Sequence, residues 1–223
     1  MIAIIDYGVG NLFSLCSSLQ SIGAEAIVTP DPDTIRAADR IILPGVGAFA
    51  DAAEKLRATG LDQVLLEEAA RGKKIMGICL GMQMLFEESF EYGIHKGLGL
   101  IPGRVVPMAG YIPEGLKIPH IGWNPLILKG EEKHPLLKYV EEGDCVYFVH
   151  SYFATDCAES VIATAEYGKE LTAAVARGNV MGCQFHPEKS GKVGLNILKA
   201  FCEMRFTDTR YTPSKLGRYK DTR

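Results

Sequence analysis

Short apolar runs alternate with segments of helical periodicity along the first half of the chain. Four runs have the length and continuous hydrophobicity of buried parallel strands, at residues 2–5, 26–29, 40–43 and 74–78. Apolar residues at helical spacing separate these runs, at residues 12–22, 34–38 and 49–71, with a break near Gly60. This order predicts a parallel sheet with right-handed crossovers, in which ligand sites form at the carboxyl ends of the strands.

The first helical segment carries signals for both of its ends. Asn11 is suited to act as the N-cap, and Gly23 is suited to end the helix. The glycine-rich turn before Asn11 lacks a complete G-x-G-x-x-G pattern and a Walker lysine, so it gives little support to nucleotide binding.

The second half of the chain consists mainly of short strand-like runs separated by turn residues. These runs lie at residues 104–108, 126–128, 146–153, 161–167, 172–176 and 180–185. Their spacing predicts largely antiparallel pairing, and helical periodicity returns at residues 192–204. The predicted fold is α/β, with an open mixed, mostly parallel central sheet flanked by helices and an antiparallel, strand-rich second half.

Composition narrows the class of protein. A length of 223 residues suits one domain, which we expect at 1–204, followed by a polar tail at 205–223 with six Lys and Arg against two Asp. Such a basic tail is typical of a solvated, partly disordered terminus, with a binding role as the alternative. The net charge of -3 argues against a nucleic-acid partner, and six cysteines are too sparse for a disulfide scaffold. Without a signal peptide or a membrane span in the pattern, we expect a cytoplasmic protein with free thiols.

A cysteine between two glycines is the first candidate for chemistry. The stretch Gly77-Ile78-Cys79-Leu80-Gly81-Met82-Gln83 joins an apolar run to a helix-compatible segment, 82–88. This arrangement is the thiol version of the nucleophile elbow, in which glycines permit a sharp turn and a helix N-terminus favours a thiolate. A small core cysteine on a buried strand is the alternative, and the stretch alone leaves both interpretations open.

His186 is the histidine best suited to act as a base for this thiol. It ends the apolar run 180–185, and a parallel strand there would bring it to the same sheet edge as Cys79. Glu188 stands two residues later and could orient the imidazole, as the acidic member of a triad does. A histidine at a strand end beside a solvated glutamate is the alternative. We expect no metal site, since CxxC, HxxxH and HExxH spacings are missing from the sequence.

Three stretches together resemble the class I, triad-type glutamine amidotransferases. They are 77–83 around Cys79, His186-Pro187-Glu188 about a hundred residues later, and Pro44-Gly45-Val46-Gly47. Further stretches are similar to the glutaminase subunits of imidazole glycerol phosphate synthases, at residues 4–12, 43–47, 119–124 and 147–152. The resemblance covers residues 1 to 204 and shows no departure at a catalytic position. The family works without a cofactor.

The resemblance implies roles for individual residues. Cys79 would attack the side-chain amide carbon of L-glutamine, His186 would move protons, and Glu188 would orient His186. The backbone N–H of Leu80 is the expected first oxyanion donor, and the second comes from the Pro44–Gly47 turn, at Gly47 or its neighbour. Substrate-binding positions of the family match Gln83, Ser151 and Tyr152.

The resemblance also implies a partner, because ammonia released into water would be protonated and lost. The family delivers it through a tunnel to a (β/α)8-barrel cyclase subunit, which makes imidazole glycerol phosphate and AICAR in histidine biosynthesis. Positions near that interface match Asn11, Trp123, Tyr147 and Lys189. We expect Trp123 in a loop as an exposed anchor, with a core anchor as the alternative. Lys189 is equally consistent with an ordinary surface lysine.

Other functions remain as alternatives. Within enzymes, these are an amidotransferase that feeds another synthase, such as the one for pyridoxal phosphate, and a γ-glutamyl hydrolase. A binding module that keeps the fold and only regulates a synthase is the alternative outside enzymes. A cysteine peptidase has less support, because the sequence gives no sign of an extended peptide groove.

Overall fold

A computed structural model describes residues 1–205 of the chain. The predicted basic tail therefore lies outside the described residues, except for Arg205. The helices are α1 (Leu12–Ser21), α2 (Pro32–Ala37), α3 (Phe49–Ala58), α4 (Leu61–Ala70), α5 (Leu80–Met84) and α6 (Gly191–Glu203). The strands are β1 (Ile2–Ile5), β2 (Ala26–Thr29), β3 (Arg40–Leu43), β4 (Lys74–Ile78), β5 (Glu88–Ser89), β6 (His95–Lys96), β7 (Arg104–Pro107), β8 (His120–Leu128), β9 (Cys145–His150), β10 (Tyr152–Thr155), β11 (Val161–Glu166), β12 (Glu170–Arg177) and β13 (Val180–Cys183).

The described strands form a large mixed sheet and a smaller one. The large sheet has nine strands in the order β2-β1-β3-β4-β13-β12-β11-β8-β9, and the small sheet has the order β10-β7-β5-β6. Pairing is parallel from β2 to β13 and antiparallel from β13 to β9. The predicted α/β fold with a mixed sheet flanked by helices is confirmed, as is the antiparallel character of the second half. Parallel and antiparallel pairings are equal in number in the large sheet, which was predicted to be mostly parallel.

Helices cover both faces of the large sheet. Side chains of a strand alternate between faces, so Ile5 and Ile4 of β1 belong to different parts of the core. Ile5 contributes to the cluster that includes α3 and α4, and Ile4 contributes to the one that includes α1 and α6. Burial on both faces explains why the parallel strands are continuously apolar in sequence.

The first four strands have their predicted boundaries, and local signals set the helix ends. The Asn11 side chain accepts from the Ser14 N–H at the start of α1, and Gly23 follows the helix with φ +75°. α2 begins at Pro32, before the predicted residue 34, because Asp31 caps it and proline favours the first helical position. Within residues 1–205, no helix has the length and apolar character needed to cross a membrane.

The prediction of a helix through residues 82–88 was wrong. α5 ends at Met84, and Glu88 belongs to the two-residue strand β5. The segment 97–99 approaches closely, and its N–H groups donate to the carbonyls of Glu87, Met84 and Phe86 at 2.8, 2.8 and 3.0 Å. These tertiary hydrogen bonds occupy carbonyls that a longer helix would need for its own ladder.

Two strand predictions also need correction. The predicted strand 146–153 is divided between β9 and β10, which belong to different sheets, with Ser151 between them. Strand β8 spans 120–128, much longer than the predicted 126–128, so Trp123 lies on a strand and not in a loop. Gly122 and Asn124 suggested a loop, but Gly122 pairs with Phe148 across the sheet.

Candidate active site

The Cys79 turn begins at the carboxyl end of β4. Cys79 has φ +54° and ψ −111°, which is strained for a residue with a side chain, and it directly precedes helix α5. Its N–H donates to the Cys183 carbonyl at 2.8 Å, so the β4–β13 pairing continues up to the turn. Strand, strained residue and helix together have the geometry of a nucleophile elbow.

Glycines around this turn are required by close approach of the backbone. A Cβ on Gly81 would lie 1.9 Å from the Leu43 carbonyl oxygen, and a Cβ on Gly77 would lie 2.6 Å from the Gly81 oxygen. A Cβ on Gly45 would lie 2.7 Å from the Gly81 nitrogen. The turn after β3 therefore packs directly against the cysteine turn.

His186 lies at the same sheet edge, beyond the end of β13, which is parallel to β4. Its Nδ1 lies 2.8 Å from Glu188 Oε1, and both side chains are 3% exposed. The 3-10 turn Pro187–Lys189 brings the carboxylate back to the ring. Since a carboxylate accepts, Nδ1 carries the proton and Nε2 is left for Cys79.

The charges around His186 control its protonation. Burial lowers the pKa of His186, but hydrogen bonds to Cys79 and Glu188 and their negative charges raise it, to about 9 overall. The surroundings of His186 therefore favour its protonated form. Within residues 1–205, the second oxygen of the Glu188 carboxylate is buried without a hydrogen-bond partner.

A cavity of about 510 Å³ opens above Cys79 and His186. The five predicted substrate and oxyanion positions all line it, namely Gly47, Leu80, Gln83, Ser151 and Tyr152. Gly47 has φ +94°, and a Cβ built there would have no atom within 4 Å. The site therefore combines a thiol, an imidazole and two candidate N–H donors in a space of the size usual for small ligands.

Two residues at the site were missed by the sequence analysis, one in the cavity wall and one behind the cysteine. Glu91 lines the cavity, and one of its carboxylate oxygens accepts from the Phe49 N–H at 2.6 Å. It lies in a stretch without periodicity, so no sequence pattern indicated it. Gln184 is wholly buried and lies 3.7 Å from the Cys79 sulfur. It was recognisable as the polar residue within the apolar run 180–185.

A line of polar groups begins at the cavity wall with His150. His150 Nδ1 lies 2.8 Å from the Tyr152 carbonyl oxygen, and its Nε2 lies 3.1 Å from His120 Nδ1. His120 Nε2 lies 2.8 Å from the Asn124 side-chain oxygen, and the Asn124 amide nitrogen donates to the Glu166 carbonyl at 2.8 Å. Burial lowers the pKa of both histidines, that of His150 to about 4.

Three of the four predicted interface residues lie close together. The Trp123 and Tyr147 ring centroids are 6.1 Å apart, and Lys189 Nζ lies 5.9 Å from the Tyr147 centroid. Trp123 is 55% exposed, as expected, although on a strand. Asn11 lines a small cavity together with His186 and Glu188.

The family model for glutamine amidotransferase class-I matches residues 3–204. This chain belongs to the class I glutamine amidotransferases. It is 48% identical over 208 residues to the imidazole glycerol phosphate synthase subunit HisH of Syntrophotalea carbinolica, covering 92% of this chain and 100% of that protein. The subunit of the same name from Methanothermobacter thermautotrophicus is 50% identical over 205 residues, covering 92% of this chain and 98% of the relative.

Solved structures share the fold of this chain. A crystal structure of a glutamine amidotransferase has a TM-score of 0.70 at 19% identity, covering 91% of this chain and all of that one. The structure of PurLQS from Thermotoga maritima has a TM-score of 0.67 at 23% identity, covering 90% and 96%. At these identities the likeness concerns the fold alone.

Proposed function

We propose that this chain is the glutaminase subunit of an imidazole glycerol phosphate synthase. In this proposal, it hydrolyses L-glutamine to glutamate and ammonia through a thioester on Cys79. The ammonia passes to a (β/α)8-barrel cyclase subunit that makes imidazole glycerol phosphate and AICAR in histidine biosynthesis. The observation that carries the proposal is the Cys79–His186–Glu188 line in a chain that matches synthase subunits over nearly their whole length.

The first chemical step forms the thioester. His186 takes the Cys79 proton, and the thiolate attacks the amide carbon of glutamine, whose carbonyl electrons move onto oxygen. When this tetrahedral intermediate collapses, the imidazolium gives its proton to the departing nitrogen, and ammonia leaves. Water, with His186 as base, then attacks the thioester carbon, and the thiolate leaves as glutamate is released.

Two backbone N–H groups are proposed to hold the oxyanion. Leu80 is the first residue of α5, where N–H groups have no partner inside the helix. Gly47 lines the same cavity, in the turn that packs against the cysteine turn. Donors directed at the developing charge are among the largest contributions to acyl-transfer catalysis.

The remaining cavity residues suit the amino-acid end of glutamine. Glu91 supplies a carboxylate for the α-ammonium group, while Ser151 and Tyr152 offer backbone groups for the α-carboxylate. Gln83 lies in the floor of the cavity, where its amide contacts the Tyr152 carbonyl. These contacts would fix the substrate so that its side-chain amide reaches Cys79.

An apolar surface beside the cavity supports a protein partner. In strand β8 the solvent-facing positions include Ile121 and Trp123, which are 58% and 55% exposed. Trp123, Tyr147, Lys189 and Asn11 would meet the cyclase there, close to the point where ammonia forms. Aromatic residues in such positions often dominate binding energy. The family match supports residues 1–204 as the amidotransferase domain, and the biosynthetic role supports a cytoplasmic location.

The test compares Cys79→Ala with the wild type, each assembled with the cyclase subunit of the same organism. We expect Cys79→Ala to abolish glutamine-dependent synthesis, while partner binding and ammonia-dependent synthesis stay unchanged. Cys145→Ala, at an exposed cysteine, is the matched control and should keep full activity. Glutamine turnover that survives in Cys79→Ala would end the proposal.

A pull-down separates this proposal from the other amidotransferases. Tagged chain should retain the cyclase subunit, and the nucleotide substrate of the cyclase should raise glutaminase activity. Retention of a different synthase would reassign the partner while leaving the glutaminase chemistry in place. A glutamine-analogue electrophile that left Cys79 unlabelled in the complex would favour a non-catalytic module.

A further inference from the structure

Gln184 is a wholly buried glutamine at the end of strand β13, directly beside the sulfur of Cys79. Its side-chain nitrogen lies 3.7 Å from Cys79 Sγ, and its side-chain oxygen lies 2.9 Å from Gln83 Nε2. Its backbone N–H donates to the Ala173 carbonyl at 2.8 Å, so strand pairing fixes the residue in place. A buried amide needs hydrogen-bond partners, and one of the partners here is the nucleophile.

The neighbouring groups determine which end of the Gln184 amide faces the sulfur. A backbone carbonyl only accepts, so Gln83 must present its nitrogen to the Tyr152 oxygen, at 3.2 Å. The same nitrogen contacts Gln184, which must therefore present its oxygen to Gln83. The Gln184 NH₂ group is left to face Cys79. Gln83 thus donates to both Tyr152 and Gln184, and Gln184 in turn donates to Cys79.

The direction of the last bond matters for the charge on sulfur. The Val149 carbonyl, 4.0 Å from Sγ, can only accept and so favours the thiol form. The Gln184 N–H can only donate, and donation to an anion is stronger than donation to a neutral group. Gln184 is therefore an uncharged group beside the sulfur that favours the thiolate.

We propose that Gln184 is a further catalytic residue, which donates a hydrogen bond to the Cys79 thiolate and holds it for attack. The proposal deepens the glutaminase function and rests on it. When the sulfur–carbon bond forms, negative charge leaves the sulfur for the carbonyl oxygen, and the Gln184 bond weakens. It strengthens again when hydrolysis of the thioester returns the electron pair to the sulfur.

The experiment measures alkylation of Cys79 by iodoacetamide as a function of pH, with the full-length chain and peptide mass spectrometry to separate Cys79 from the other cysteines. Gln184→Met keeps the length of the side chain and removes the donor. We expect the pH of half-maximal alkylation to rise by about one unit, which corresponds to ~10-fold less thiolate at a given acidic pH. Gln63→Met, at an exposed glutamine, should leave the profile unchanged.

Glutaminase activity of the complex provides the second readout. In Gln184→Met, kcat/KM should fall about tenfold at neutral pH and recover as the pH rises, because alkali restores the thiolate. A purely structural role would lower activity equally at every pH. Gln184→Asn keeps the amide but moves it away from the sulfur, so it should also lower kcat/KM at neutral pH. This variant replaces Gln184→Met if the methionine variant does not fold.

An unchanged alkylation profile in a folded Gln184 variant would overturn the proposal. A measurement on the wild-type chain needs no variant: the ¹⁵N-labelled side-chain amide of Gln184 should change its resonance when Cys79 is alkylated, and no change would also count against the bond. If the alkylation profile shifts but wild-type complex hydrolyses no glutamine, the glutaminase function fails and the Gln184 bond stands. If the wild-type complex hydrolyses glutamine but the alkylation profile of the Gln184 variant does not shift, the glutaminase function stands and the Gln184 bond fails.

Discussion

The backbone N–H of His186 donates to the carbonyl of Tyr147 at 3.0 Å, which joins the candidate base to a residue of the proposed partner surface. Ser190 strengthens this link: its hydroxyl donates to the His186 carbonyl at 2.6 Å and accepts from the Tyr147 N–H at 2.9 Å. Strand β9 and the His186 turn are thus bonded in both directions. A partner that displaced Tyr147 would therefore also shift the backbone of His186.

The first prediction concerns Ser190→Ala. The change leaves the Tyr147 N–H without a partner, while the His186 carbonyl keeps the Lys189 N–H as a donor. We therefore expect a loss of roughly 1–3 kcal/mol in the free energy of unfolding. We also expect kcat of the complex to fall about tenfold, because His186 loses a fixed support. Urea unfolding and steady-state kinetics measure the two effects. Ser17→Ala, at an exposed helical serine, is the control, and equal behaviour of both variants would contradict the prediction.

The second prediction concerns the alkaline limit of activity. The imidazolium supplies the proton for departing ammonia, so kcat should fall as the pH rises through about 9, the pKa of His186. Glu188→Gln removes a hydrogen bond to a charge and a negative neighbour, both of which raise that pKa. The descending limb should therefore move to lower pH, and kcat should drop roughly a thousandfold. A pH–rate profile with an unmoved limb would argue against the assignment.

The third prediction concerns Glu91. Glu91→Gln keeps an oxygen that can accept from the Phe49 N–H and removes the negative charge from the cavity. If Glu91 holds the α-ammonium of glutamine, KM should rise about tenfold while kcat changes little, since the contact is made equally in ground and transition states. Glu54→Gln, on the exposed side of α3, should leave KM unchanged. A fall in kcat alone would instead indicate a role in the cysteine chemistry.

The fourth prediction concerns acid stability and His134. Burial lowers the pKa of His134 to about 4, while the unfolded chain has the ordinary value of about 6.5. The unfolded state therefore binds more protons between these values, and the free energy of unfolding should decrease as the pH falls from 6.5 to 4. His134→Asn removes the titration and keeps an acceptor for the Leu136 N–H. Measured by urea unfolding, the free energy of unfolding should fall less for the variant than for the wild type between about pH 6.5 and pH 4. Below about pH 4 the gap between the two should not widen further.

Local periodicity was enough to predict the part of the fold that positions Cys79 and His186. The strands β1 to β4 are largely apolar because helices cover both faces, and the runs of β3 and β4 end at glycine-containing turns. The glycines at 77 and 81 were also informative, since any Cβ at Gly81 would collide with the Leu43 carbonyl. Sequence therefore predicted the elbow and its neighbouring turn.

Contacts between distant segments explain what was missed. α5 ends early because residues 97–99 bind its last carbonyls, and nothing near Met84 in sequence encodes that approach. Glu91 enters the cavity from a stretch without periodicity, so only the folded chain reveals its position. Trp123 was predicted to be exposed because its neighbours suggested a loop, whereas it is exposed on strand β8.

The line of polar groups from Tyr152 to Asn124 has a consequence for proton uptake. It contains three contacts with an oxygen acceptor at each end, whereas two neutral imidazoles carry only two N–H groups. With both histidines neutral, one contact lacks its proton. The first proton bound on acidification would complete the line, while a second would place two cations against each other at 3.1 Å. His120 and His150 can thus take up one proton together without placing two cations side by side. They do so next to the Tyr152 carbonyl, which accepts a hydrogen bond from Gln83.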